Sequence, residues 1–171
     1  MLLRRLALSD FKIRAVGPDD KDWVADLITQ RWGAEFVAVH CDVYHCRDLP
    51  GFVALDGEKR VGLVTYTMSG PECEVVSLDS LRSRMGVGTA LMAAVKAAAV
   101  EAGCKRLWLV TTNDNMNALR FYQKRGFALV KISRNAIEFA RRLKPVPLIG
   151  NDGIPLRDEI ELEMILNRDI E

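Results

Sequence analysis

The chain has 171 residues and a net charge of +1, from 24 Lys and Arg against 23 Asp and Glu. Hydrophobic residues make up 49% and charged ones 27%, the balance of a folded globular domain rather than a disordered chain. So even a charge argues against nucleic acid or an anionic membrane surface as the main partner.

Residues 1–8 carry Arg4 and Arg5 inside an apolar run, which leaves no continuous export signal. No apolar stretch reaches the roughly 18 uncharged residues of a spanning helix. A cytoplasmic location follows as the expectation, with Cys41, Cys46, Cys73 and Cys104 reduced. Residues 11–16 alternate as a strand. Gly17-Pro18-Asp19-Asp20 then opens a helix whose buried stripe is Val24, Leu27, Ile28 and Trp32, with Gly33 as its stop. Residues 36–39 read as a short strand. Beyond Leu49-Pro50-Gly51, residues 52–55 and 60–68 read as strands joined at Asp56-Gly57. Ser69-Gly70-Pro71 turns the chain into a further strand over 72–79.

Gly86-Val87-Gly88-Thr89 leads into a helix over 90–102, with Leu91, Val95, Ala98 and Ala102 at helical spacing and Gly103 beyond. Residues 106–112 form a buried strand. Asn113-Asp114-Asn115 caps a helix that runs to about Arg125, before Gly126. Residues 127–132 read as a strand, 135–143 as a helix, and 144–155 are rich in Pro and Gly. The last strand, 159–166, alternates Ile160, Leu162, Met164 and Leu166 with Glu159, Glu161 and Glu163. The order predicts one α/β domain built on a mixed sheet.

Residues 80–92 hold the clearest chemical signal. Two glycines stand at the first turn of a long helix, where unpaired N–H groups and the helix dipole favour an anion. Bare backbone lets a pyrophosphate approach, and Arg82 and Arg84 add positive charge. A tight strand-to-helix connection packed through glycine explains the same residues without a ligand. A dinucleotide fingerprint fails, because the third glycine position is Leu91 and several strands precede the turn. The Lys-Ser/Thr of a Walker loop is absent.

The strand Glu74-Val-Val-Ser-Leu78 followed by Arg-x-Arg-Met-Gly-Val-Gly-Thr resembles the acyl-CoA motif of the GNAT superfamily of N-acetyltransferases. About 30 residues on, Asn115, Ala118, Tyr122, Gly126 and Phe127 are similar to that family's Asn-x-x-Ala-x-x-x-Tyr-x-x-x-Gly-Phe pattern. The family's usual Gln or Arg before the glycines falls at Ser83, between Arg82 and Arg84. The resemblance implies a central sheet of about six or seven mostly antiparallel strands, flanked by helices and splayed at the acyl-CoA site. It also implies acetyl transfer from acetyl-CoA to a primary amine of a small molecule, with no metal, and admits a homodimer. A protein amine as acceptor, or CoA binding without catalysis, are the alternatives.

By the same resemblance Glu74 is the general base, with Glu72 behind it. The Leu78 N–H would meet the thioester carbonyl, beside Asp79 and Ser80. Arg82, Arg84 and the backbone of Met85, Gly86, Val87, Gly88 and Thr89 would hold the pyrophosphate. Asn115 and Ala118 would line the cofactor's arm, and Tyr122 would protonate the departing thiolate. Strand alternation sets Glu74 on one face with Val76 and Leu78, where a carboxylate needs a partner or a task.

Two further clusters stand out. His40, Cys41, His45 and Cys46 lie within seven residues, but one short segment rarely supplies a tetrahedral zinc site. Trp32, Phe36, His40 and Tyr44 are instead candidates to touch the acceptor. An insert at about 134–158 precedes the last strand on the substrate side. In and beside it, Asp158 and Glu159 are candidates for an ammonium group, and Arg141 or Arg142 for an acidic one; a solvated, salt-bridged surface accounts for the same charges and is the preferred reading.

Overall fold

Left-handed residues punctuate the chain in the computed structural model, which describes residues 11–166. The reading of residues 1–8 lies outside the described residues. A 3-10 turn at Pro18–Asp20 follows β1 (Phe11–Ala15) and feeds α1 (Lys21–Trp32), which Gly33 ends at φ +80° by donating to the Thr29 carbonyl. β2 (Val37–Val39) and β3 (Asp42–Tyr44) form a separate hairpin. Next come β4 (Gly51–Asp56), β5 (Lys59–Ser69), β6 (Glu72–Ser80) and α2 (Val87–Glu101). The rest is β7 (Arg106–Thr112), α3 (Met116–Gln123), β8 (Ala128–Ser133), α4 (Ile137–Leu143) and β9 (Glu159–Ile165).

Seven strands make one sheet in the order β1-β4-β5-β6-β7-β9-β8. The β6–β7 neighbours are parallel and the other pairs antiparallel, which is the mixed sheet expected. On one face α2 and α3 bury Leu91, Val95, Ala99 and Tyr122 against Val64, Val75, Leu107, Leu109 and Leu162. The stripe of α2 closes on Met92 and Ala99, whereas Ala102 is exposed. On the other face α1 sets Val24, Leu27 and Ile28 against Val37, Cys46, Leu63 and Val76. Each such aliphatic side chain contributes about 1.5–3 kcal/mol on burial.

A bulge changes the predicted phase of β6. Ser77 pairs with Thr65 and Val75 with Tyr66, which leaves Val76 without a partner. Glu74 therefore keeps the α1 face with Val76, while Leu78 packs with the α2 cluster, contrary to simple alternation. Glu159 departs from alternation too: it is buried at the start of β9.

Asp20 fixes the entry to α1. Its buried carboxylate accepts from Arg14 at 2.7 Å, Arg60 at 2.9 Å and the Gly17 N–H at 2.8 Å. These donors hold its pKa far below the usual carboxylate range, with the Arg14 hydrogen bond the largest cause. A depressed folded-state pKa stabilises the fold above the unfolded value of about 3.9 and is lost as pH falls through the folded one. Asp20→Asn is expected to cost about 2–3 kcal/mol at pH 7, below a fully buried pair because both arginines can rehydrate. Urea unfolding should show the gap to wild type narrowing once pH drops below about 4.

Candidate active site

The loop after β6 is built to leave room. Arg84 at φ +62° and Gly86 at φ +77° turn the chain onto α2, whose first turn has no acidic residue and no side-chain cap. A Cβ built on Gly86 meets nothing within 4 Å, so space lies open above the bare backbone. Gly88 has a different cause: a Cβ there would come within 3.3 Å of the Phe121 ring, so it serves close packing of α2 on α3. Close packing thus accounts for Gly88, while Gly86 leaves the backbone open to a ligand.

A groove of about 520 Å³ runs along this turn. One wall is Leu78, Ser80 and residues 82–89 without Met85, and the other is Asn117, Ala118, Phe121, Tyr122 and Arg125. No acidic residue lines it, while Arg82, Arg84 and Arg125 do. Arg82 is paired with Asp56. Arg125 stacks 3.5 Å over Phe121, forks onto the Thr89 hydroxyl at 2.5 and 3.1 Å, and donates to the Phe121 carbonyl. A basic groove ending on unpaired helix N–H groups fits a diphosphate-bearing arm. Sequence reasoning missed Asn117, Phe121 and Arg125, although Asn117 and Phe121 lie four residues apart on one side of α3 and Arg125 follows in the turn beyond it.

Beside the groove the sheet opens. β6 and β7 pair only from Glu72/Arg106 to Val75/Leu109. Past that point a second cavity lies between them, lined by Val76, Ser77, Leu78, Thr111, Asn115 and Tyr122 among others. Asn115 spends its side-chain oxygen capping α3 through the Ala118 N–H at 3.1 Å, which leaves its amide NH₂ for a ligand. Tyr122 lines both groove and gap, wedged edge-on between Phe121 and Phe127. Its hydroxyl has no hydrogen-bond partner among the described residues, and burial pushes its pKa well above the ordinary value.

Two predicted cofactor residues line neither the groove nor the gap. Asp79 turns its carboxylate onto the Trp32 indole N–H at 3.1 Å, and Met85 is exposed on the loop.

On the α1 face the hairpin tip gathers the remaining candidates. His40 and Cys41 form the two-residue turn at φ +40° and +67°, a conformation such residues rarely take. The strain is held from several sides. The His40 N–H donates to both oxygens of Glu159, at 3.1 and 3.2 Å. Its Nε2 lies 2.5 Å from Glu74 Oε1, and the Tyr44 hydroxyl donates to Oε2 at 2.9 Å. Trp108 tilts against the ring at 5.3 Å. The hydrogen bond to Glu74 raises the His40 pKa, against desolvation, and burial raises those of Tyr44 and Glu159.

Glu159 is the one charged residue of a cavity of about 110 Å³ walled by Trp32, Val37, Val39, Val76 and Ile137. That cavity shares Trp32, Val76, Val110, Thr111 and Asn115 with the gap.

Ion pairs and loop ties occupy candidate residues of the insert. Asp158 is engaged by Arg157 at 2.8 Å and the Asn135 N–H at 2.9 Å, which hold its pKa down to about 2, so it is not free for an ammonium group. Arg141 is committed to Glu138 and to the Pro147 and Leu156 carbonyls, where it ties the insert together. Arg142 is exposed. Among the described residues no group of three or more His, Cys, Asp or Glu is placed to hold a metal, and the four cysteines are free.

An opened parallel pair beside an uncapped, basic helix start is an arrangement with room for a phosphate-bearing carrier. Residues 20–127 match the Acetyltransferase (GNAT) family, and the chain belongs to that family of acyl-CoA-dependent N-acyltransferases. The uncharacterized protein YdhI of Bacillus subtilis (strain 168) is 41% identical over 149 residues, 86% of this chain and 93% of its own length. A GNAT family acetyltransferase from Elizabethkingia anophelis with acetyl-CoA bound superposes at TM-score 0.68 and 22% identity, over 92% of this chain and 99% of that one. The ribosomal-protein-S18-alanine N-acetyltransferase from Escherichia coli does so at 0.67 and 18%, over 94% and 97%. Among the described residues no helix is long and apolar enough to cross a membrane.

Proposed function

We propose that this protein acetylates a primary amine of a small, cationic molecule by direct attack in a ternary complex with acetyl-CoA. The observation that carries the acceptor class is the apolar cavity against the gap with Glu159 as its sole charge. An ammonium group answers that carboxylate, and apolar walls answer a hydrocarbon body. Residues 137–159 close this side: Lys144 donates to the Trp32 carbonyl at 2.6 Å and Arg141 cross-links the loop. A peptide needs an open trough there, which supports the small-molecule reading over the protein one.

Acetyl-CoA supplies an activated thioester when bound. The backbone of residues 86–89 with Arg84 and Arg125 would hold its diphosphate, and the Leu78 N–H would steady charge building on the carbonyl oxygen. An alkylammonium has a pKa near 10.4 and must lose a proton before it attacks. Glu159 docks the cation; Glu74 draws off the proton through water; Tyr122 returns one to the departing thiolate. None of these roles requires a covalent enzyme intermediate.

The test is a thiol-release assay with acetyl-CoA against small primary amines and peptides with free N-termini. Turnover of the small amines and none of the peptides is expected. Glu159→Gln should raise the amine KM about tenfold with kcat little changed, the mark of lost ground-state binding. Calorimetric binding of acetyl-CoA with no amine consumed would point instead to a CoA-binding module.

A further inference from the structure

A separate cavity of about 390 Å³ is lined by Glu74 together with His40, Asp42, Tyr44, Thr67, Glu72 and Trp108 among others. It shares no lining residue with the groove, the gap or the acceptor pocket. Ligands in those three sites would leave this cavity open, and it is the one of the four that Glu74 lines, so it is the route by which Glu74 can return a proton to water. His40 lines that route and is bonded to Glu74. Its Nε2 meets Glu74 and its Nδ1 lies 3.4 Å from Asp42, whose side chain is 65% exposed.

We propose that His40 is the proton outlet of Glu74, passing the acceptor's proton to Asp42 and solvent away from the bound substrates. The role rests on the acetyl-transfer reading above. The amine N–H bond breaks, its electron pair stays on nitrogen for attack, and the proton joins Glu74. The Glu74 O–H then breaks as Nε2–H forms, and the Nδ1–H proton leaves to Asp42 and from there to water. No oxidation state changes, and the ring regains its first tautomer by exchange with water at its exposed edge.

The charged or titratable groups facing the ring are Glu74 from β6, Asp42 and Tyr44 from β3 and Glu159 from β9. All are acidic, so they favour a ring that can take up a proton. The strained turn gains a reason as well. The backbone N–H of the same residue is fixed by Glu159, so docking carboxylate and outlet are set by one hairpin tip.

Two variants separate an outlet from a prop. His40→Gly suits φ +40° and leaves a hole the size of imidazole. His40→Gln can still donate to Glu74 but cannot carry a proton through. Both are expected to lose about 10- to 100-fold in kcat with the amine KM held within about twofold. Added imidazole should restore the Gly variant in a saturable way. In the chain without acetyl-CoA, the NMR titration midpoint of the His40 ring should fall in Glu74→Gln and again in Asp42→Asn.

A His40→Gln enzyme as fast as wild type, a folded and slow Gly variant that imidazole leaves slow, or a His40 midpoint unmoved by Glu74→Gln overturns the outlet. A wild-type chain inert toward every amine sinks the acetyl-transfer reading itself, which is a different result.

Discussion

Glu74→Gln is expected to lower kcat by about 10²–10³-fold while leaving acetyl-CoA affinity unchanged. The substitution keeps shape and burial, and the amide oxygen can still accept from Tyr44 or His40. What it removes is the ability to accept a proton from the amine. Glu74 lines neither the groove nor the gap, so calorimetry with acetyl-CoA should give the wild-type constant. Glu72, the second candidate, is half exposed and paired with Arg106 at 3.3 Å, so Glu72→Gln should have little effect beside it. A Glu74→Gln enzyme with full kcat would move the base role to Glu159, the other buried carboxylate at the hairpin tip.

The parts of this site that the sequence discloses are the ones governed by local chemistry. A left-handed glycine at 86, a side-chain cap at Asn115 and a helix stop at Gly126 each act within a few residues, and their spacing carries the resemblance. The parts that stay hidden are non-local. Glu74, His40 and Glu159 meet although 34 and 119 positions separate His40 from its two partners. β3 escaped notice because its turn uses His40-Cys41 where hairpins prefer Asn and Gly. Glu159 reads as the wet side of an alternating strand, and only the hairpin laid over it makes it dry. The face of Leu78 was misplaced because one bulged residue, Val76, shifts the phase of all that follow.

Tyr122→Phe should separate kcat from stability more cleanly than any other substitution. The ring's contacts with Phe121 and Phe127 are retained, and the lost hydroxyl bonds to no described residue. Removing a hydroxyl that bonds to no described residue costs little, so Tm is expected to stay level. A packing role would therefore leave kcat untouched as well. As proton donor to the thiolate, Tyr122 predicts a fall in kcat of about 10²-fold at unchanged acetyl-CoA affinity. Its raised pKa sets the sign of the pH dependence: the phenol stays protonated through neutral and mildly alkaline solution. Loss of the donor by ionisation should thus be absent from the wild-type profile below about pH 10. A wild-type acidic limb that vanishes in Tyr122→Phe would instead mean that the hydroxyl acts in its deprotonated form, and the donor assignment would have to give way to a base.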